Sequence, residues 1–222
     1  MLLRIPQFLS PQEVASLRQR IDGLPAEAGS ATGNPQLKHN LQLNGNNPAI
    51  RPLIEELHRR LIGNQQLVSF ALPKTLTITI NRYEPGMYYH FHSDAAIMGG
   101  PGDPQPIRTD LSFTLALSEP EEYDGGEFHL RTGYGETVLK EAAGSLICYP
   151  SNMPHRVETI TRGQRICAIG WIQSIVRGSD ERAVMLQLWQ LHGAVTGGDP
   201  AHQQDQAFGQ LRNNLLRLWA EH

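Results

Sequence analysis

Thr75-Leu76-Thr77-Ile78-Thr79-Ile80 decides the architecture of this chain. Apolar side chains at every second position alternate with Thr, the period of a strand whose two faces meet different surroundings. Leu111, Phe113, Leu115 and Leu117 repeat the pattern. Further short strands are expected at 127–130, 136–139, 145–149, 156–160 and 165–173, separated by Asp124-Gly125-Gly126, Gly133, Gly144 and Arg162-Gly163. Many short strands joined by Gly-rich turns, with no helix between them, predict antiparallel β as a sandwich or jelly roll.

Outward from this block the period becomes helical. Ser10-Pro11-Gln12-Glu13 is a capping box with Pro at the first helical position, followed by Val14, Leu17 and Ile21 on one face and stopped by Gly23 and Pro25. A second helix is expected from about 48 to 61, with Ile50, Leu53, Ile54, Leu57 and Leu61 on one side and Gly63 at its end. Residues 26–47, rich in Gly, Asn and Pro, are expected to be irregular. Past Arg177, Val184, Leu188 and Leu191 mark one helix and Phe208, Leu211, Leu215 and Leu218 another. Gly197, Gly198 and Pro200 divide them into a helical hairpin. The expected organisation is an N-terminal helical support region over 1–73, a β domain over 74–176 and a C-terminal helical extension over 177–222. The C-terminal helices could pack on the β domain or on a second subunit, so a homo-oligomer is open.

Composition narrows the function classes. The 222 residues carry a net charge of −3, with 40% apolar and 18% charged residues, as in ordinary globular domains. The predicted pI is near 6.3, and no basic face points to nucleic acid. Cys148 and Cys167 lie in apolar stretches, where free buried thiols fit a reducing, cytoplasmic setting. Met1-Leu2-Leu3-Arg4-Ile5-Pro6 does not have the form of a signal peptide, and no apolar run has the length of a membrane span.

The chemistry centres on Tyr83-x-x-Gly86-x-x-Tyr89-x-x-His92-x-Asp94, with His155 and Arg165 downstream. Residues two apart on a strand point the same way, so His92 and Asp94 can reach one ion. Two imidazoles and a carboxylate suit non-haem iron and leave positions open for oxygen and a co-substrate. A structural zinc site would be closed by four ligands, often thiolates, and neither Cys lies near this motif. His155 and Arg165 flank Thr161-Arg162-Gly163-Gln164; a hairpin closed there would set them face to face. Arg165 offers a planar fork for the far carboxylate of a dicarboxylate such as 2-oxoglutarate. Singly, each residue has a plainer reading: packed imidazoles among Tyr88, Tyr89 and Phe91, a surface Arg, ordinary strand tyrosines. His90 is expected to share the face of His92 and to serve packing or the pocket wall. Lys38-His39-Asn40 is read first as a solvated loop and second as a cover for the site, and 99–104 as a lid or a long connection.

These residues, together with 38–43 (KHNLQL), 108–118 (RTDLSFTLALS), 123–127 (YDGGE), 171–174 (WIQS) and 214–220 (NLLRLWA), resemble the bacterial PKHD-type hydroxylases. Those belong to the prolyl-hydroxylase-like branch of the Fe(II)/2-oxoglutarate dioxygenases. The resemblance implies a double-stranded β-helix, or jelly roll, with helices outside. It implies Fe(II) at His92, Asp94 and His155, 2-oxoglutarate at Arg165 with Tyr83 beside it, and L-ascorbate as reductant. It further implies dioxygen and a second, peptidyl or amino-acid-like substrate as partners. Ala95 and Met98 depart from the polar or Gly residue and the basic residue found after the Asp in relatives. Two other classes stay open on the residues alone: a cupin-like metalloenzyme without oxygen chemistry, and a non-catalytic binding module.

Overall fold

The alternating run 75–80 forms the middle of the longest strand, β5 (Pro73–Tyr83), in a computed structural model that describes residues 1–29, 34–43, 47–99 and 106–221. β5 belongs to a seven-stranded sheet ordered β1 (Leu3–Ile5), β13 (Leu146–Pro150), β9 (Leu111–Ala116), β16 (Arg165–Ser174), β5, β4 (Leu41–Leu43) and β2 (Glu27–Ala28). A five-stranded sheet runs β12 (Gly135–Leu139), β11 (Phe128–Thr132), β14 (His155–Val157), β6 (Tyr88–His92) and β3 (Lys38–His39). Two small ladders complete the set, β7 (Ile97–Met98) with β8 (Ile107–Arg108), and β10 (Tyr123–Asp124) with β15 (Arg162–Gly163). Every pairing is antiparallel, and the expected jelly roll is what forms.

The alternation sorts side chains between two interiors. Leu76, Ile78 and Ile80 of β5 pack with Leu111, Phe113 and Leu115 of β9 in a cluster that also holds the helical leucines. The opposite face of β5 turns Thr79 and Asn81 into a cavity between the sheets. β9 is therefore buried on both sides, with Ser112 and Thr114 on the cavity face rather than toward water. Tyr83, Tyr123, Phe128, Leu130, Tyr149, Val157 and Cys167 form a second cluster inside the sandwich. Both cysteines are buried and free.

Helices cover the outer face of the large sheet. α1 (Pro11–Ile21) starts on the expected capping box: Glu13 N donates to Ser10 Oγ at 3.3 Å, and Ser10 N to Glu13 Oε2 at 2.8 Å. It buries Val14, Leu17 and Ile21. α2 (Arg51–Gly63) begins three residues later than expected and buries Leu53, Leu57 and Leu61. Each such side chain contributes about 1.5–3 kcal/mol. A helix not anticipated from the sequence follows at once, α3 (Gln65–Ala71), with Asn64 Oδ1 accepting from Leu67 N at 2.9 Å as its cap.

The C-terminal hairpin is α4 (Ser179–Thr196) and α5 (Asp205–Trp219), divided by Gly197 in the left-handed region. The stripe expected to be buried is not the one that is. Val184 and Leu191 are exposed, whereas Arg182 and Met185 face the protein. Arg182 Nη1 donates to the carbonyls of Val176 and Arg177, so one long polar side chain, not a leucine ridge, pins the start of α4. No helix among the described residues is long and apolar enough to cross a membrane.

Candidate metal centre and its cavity

β14 and β6 are neighbours, and His155 lies directly across from His92. The next paired residues are Val157 and Tyr89, so two steps on β14 match three on β6. This bulge inverts the alternation of β6. Tyr89 and His92 consequently both face the cavity, their rings stacked at 3.5 Å between centroids. His90 is exposed, against the expectation that it would share the face of His92.

Three donors meet beside this bulge. His92 Nε2 and His155 Nε2 lie 3.7 and 3.9 Å from Asp94 Oδ1, and all three ligand atoms fall within 4.8 Å of one another. The protein fixes which atoms are presented. His92 Nδ1–H donates to His90 O at 2.8 Å and His155 Nδ1–H to Met153 O at 2.9 Å, which turns both Nε2 lone pairs toward the centre. Asp94 sits just beyond β6, tied by its N–H to Ser151 O. Its Oδ2 accepts from Ser112 Oγ at 2.5 Å, and Ser112 Oγ also meets Ser151 Oγ at 2.7 Å, leaving Oδ1 to face the imidazoles. His92 Nε2 is buried with no hydrogen-bond partner. An orphaned lone pair beside a second imidazole and a carboxylate oxygen is the donor set of a divalent first-row metal.

Two expected results arise here. Ser112→Ala removes the hydrogen bond that orients the carboxylate; loss of such an outer partner costs roughly 10- to 100-fold in metal affinity, read by calorimetric titration with Mn(II). An unchanged affinity would mean Asp94 needs no such support. Burial, then the neighbouring His155, lowers His92 to about 4. In metal-free protein the folded state therefore binds fewer protons than the unfolded chain between pH 6.5 and about 4. The His92 contribution to stability is full above pH 6.5 and is lost as pH falls through that window, so the thermal midpoint in chelator should drop across it. His92→Leu should flatten that part of the profile.

Arg165 opens β16 opposite Tyr83 of β5. It is buried, donates from Nη1 to Cys167 Sγ at 3.1 Å and lies 5.4 Å over the Tyr83 ring. Gly126, at φ +69°, lets the Asp124-Gly125-Gly126 turn close on it: a Cβ there would meet Ile160 Cδ1 at 2.4 Å and Arg165 Cδ at 3.1 Å. Burial pushes the Tyr83 phenol well above its ordinary range, so it remains protonated. Among the described residues no carboxylate pairs with Arg165, although it is permanently charged. A buried guanidinium of this kind calls for an anion. It shares one cavity of about 490 Å³ with His92, Asp94, His155 and Tyr83.

The route by which His155 and Arg165 converge differs from the expected hairpin. β14 pairs with β11 and β6, whereas β16 pairs with β9 and β5 in the other sheet. Arg162-Gly163 does not close a turn between them but pairs with Tyr123-Asp124. The two residues approach across the sandwich interior, because the chain crosses between sheets over 158–164.

Sequence reasoning also misplaced Lys38. It is buried in β3 opposite Tyr89, 5.5 Å over that ring, and not in a solvated loop. Burial lowers its ammonium to about 8, with Asp94 opposing the shift. Met98 and Ala95 line the cavity. Most of the segment 99–104 lies outside the described residues, as do 30–33 and 44–46 of the other loop considered as a lid.

Residues 78–173 match the model of the 2OG-Fe(II) oxygenase superfamily. The chain is 40% identical over 228 residues to a PKHD-type hydroxylase of Acidovorax ebreus strain TPSY, covering 99% of each. It is 38% identical over 225 residues to one of Pseudomonas putida strain W619, covering both in full. In fold it is similar to a Pseudomonas putida prolyl-4-hydroxylase, with TM-score 0.57, 19% identity, and 78% of this chain and 92% of that one covered. A prolyl hydroxylase from Trichoplax adhaerens aligns with TM-score 0.56 at 17% identity, covering 82% and 86%.

Proposed function

Because the chain belongs to the PKHD-type hydroxylases of the 2OG-Fe(II) oxygenase superfamily, we propose that it hydroxylates a second substrate while converting 2-oxoglutarate and dioxygen to succinate and carbon dioxide. The second substrate is proposed to be peptidyl or amino-acid-like. One observation carries the reading: a buried His92–Asp94–His155 donor cluster shares its cavity with a buried Arg165 that has no carboxylate partner among the described residues.

Ferrous iron, when held by His92, Asp94 and His155, would supply the redox chemistry and the open positions that a 2-oxo acid and dioxygen require. The chain's own residues do the rest. The carbonyls of His90 and Met153 hold the two imidazoles in the tautomer that presents Nε2. Ser112 fixes the carboxylate. Arg165, with the Tyr83 ring beneath it, takes the far carboxylate of the co-substrate and sets its direction. Phe128, Tyr149 and Val157 wall the cavity and keep it dry. L-Ascorbate is proposed as the accessory reductant.

The test is anaerobic addition of Fe(II) and 2-oxoglutarate to the purified protein. A visible charge-transfer band that saturates with co-substrate is expected. If no band forms with either component in excess, the proposed function fails.

A further inference from the structure

The two buried cations of the cavity lie on opposite flanks of the donor cluster. Along the five-stranded sheet, His155 is on β14, His92 on its neighbour β6 and Lys38 on β3, the strand beyond. Arg165 lies toward the other end, against Tyr123, Gly126 and Phe128, where β11 begins. A dicarboxylate running from the donor cluster to Arg165 therefore extends away from Lys38.

Lys38 is 5% exposed, and its ammonium is linked to the cluster through the Tyr89 ring, which it overlies and which stacks on His92. Beside it the cavity is lined by Gln42 and Asn81, joined by a buried hydrogen bond of 3.1 Å, and by Trp171 and Leu37. Apart from Asp94, the only carboxylate lining the cavity among the described residues is Glu27, exposed at the rim.

Charge then decides what this flank accepts. Asp94 is the sole buried anion lining the cavity among the described residues, and a dication in the cluster would more than neutralise it. 2-Oxoglutarate would answer the ion and Arg165. The Lys38 ammonium would remain, in a low-dielectric wall where a second anion is worth far more than in water. Resting on the proposed function above, we propose that Lys38 receives a carboxylate of the second substrate, which makes that substrate an acidic small molecule or an acidic end of a peptide. The adjacent Gln42–Asn81 pair offers amide donors and acceptors for the neighbouring polar group, and Trp171 an apolar wall.

The test uses protein loaded anaerobically with Fe(II) and saturating 2-oxoglutarate, so that the Arg165 flank is filled. A panel of small carboxylates and their matched primary carboxamides is screened by ligand-observed NMR. Carboxylates should bind at least tenfold more tightly than their amides. Lys38→Met should erase that preference, and Lys38→Arg should restore part of it. Circular dichroism and formation of the charge-transfer band check that each variant is folded and loaded. Absence of carboxylate binders, a preference that survives Lys38→Met, or a Lys38→Met effect confined to 2-oxoglutarate affinity would each overturn the assignment. A missing band in the parent protein would instead remove the proposed function, and this inference with it.

Discussion

Asp94→Ala is expected to reduce succinate formation by more than roughly 100-fold, the upper end of what loss of a mere outer partner costs a metal site. Asp94 is the single anionic donor of the cluster, and both imidazole Nε2 atoms are arranged around its Oδ1 at 3.7 and 3.9 Å. Without it two neutral rings face each other across 4.2 Å with nothing to offset a dication's desolvation. The Ser112–Ser151 pair would also lose its acceptor. Asp94→Asn is the sharper variant, because it keeps an oxygen near Ser112 while removing the charge. Metal titration and succinate release should fall together in both. A folded Asp94→Asn protein retaining more than a tenth of parent turnover would refute the triad.

Arg165→Ala should act on the co-substrate and not on the metal. Truncating one partner of a buried, hydrogen-bonded charge pair costs about 2–5 kcal/mol, or roughly 30-fold and upward in affinity. The apparent affinity for 2-oxoglutarate, read from the charge-transfer band, should weaken by that factor, while Mn(II) affinity changes little. Arg165→Lys should recover only a fraction, since an ammonium cannot reproduce the planar fork that lies over Tyr83 and bonds Cys167. An unchanged 2-oxoglutarate affinity in Arg165→Ala would show that the guanidinium is structural.

The architecture was legible where one local signal sufficed. The Thr–Leu–Thr–Ile run could only be a strand with unlike faces, and the Ser10–Glu13 box fixed the start of α1. α3 escaped because seven residues hold too few turns to display a period, and Gly63 read as a terminator. Its signal was Asn64, a capping residue followed by Leu67 and Phe70.

The donor residues were also legible, but their three-dimensional relations were not. His155 and Arg165 are close in sequence and separated by good turn residues, so a hairpin was the economical reading. The closed topology sends the two strands to different sheets, a long-range fact that no ten-residue window contains. Lys38 looked solvated because its neighbours are polar. It is buried because β3 adds to the edge of β6, and nothing within 26–47 announces that pairing. Ser112 was visible all along as the polar half of the β9 alternation, once that face is known to look inward.

The bulge in β6 makes the inside and outside of this enzyme a matter of counting. From Tyr89 to His92 the parity of the strand is set by how many residues lie between them, not by which ones. Phe91 can change its chemistry without disturbing who faces the reactants. A shift in length by one would exchange His92 for a neighbour and present the reaction chamber with a side chain meant for solvent.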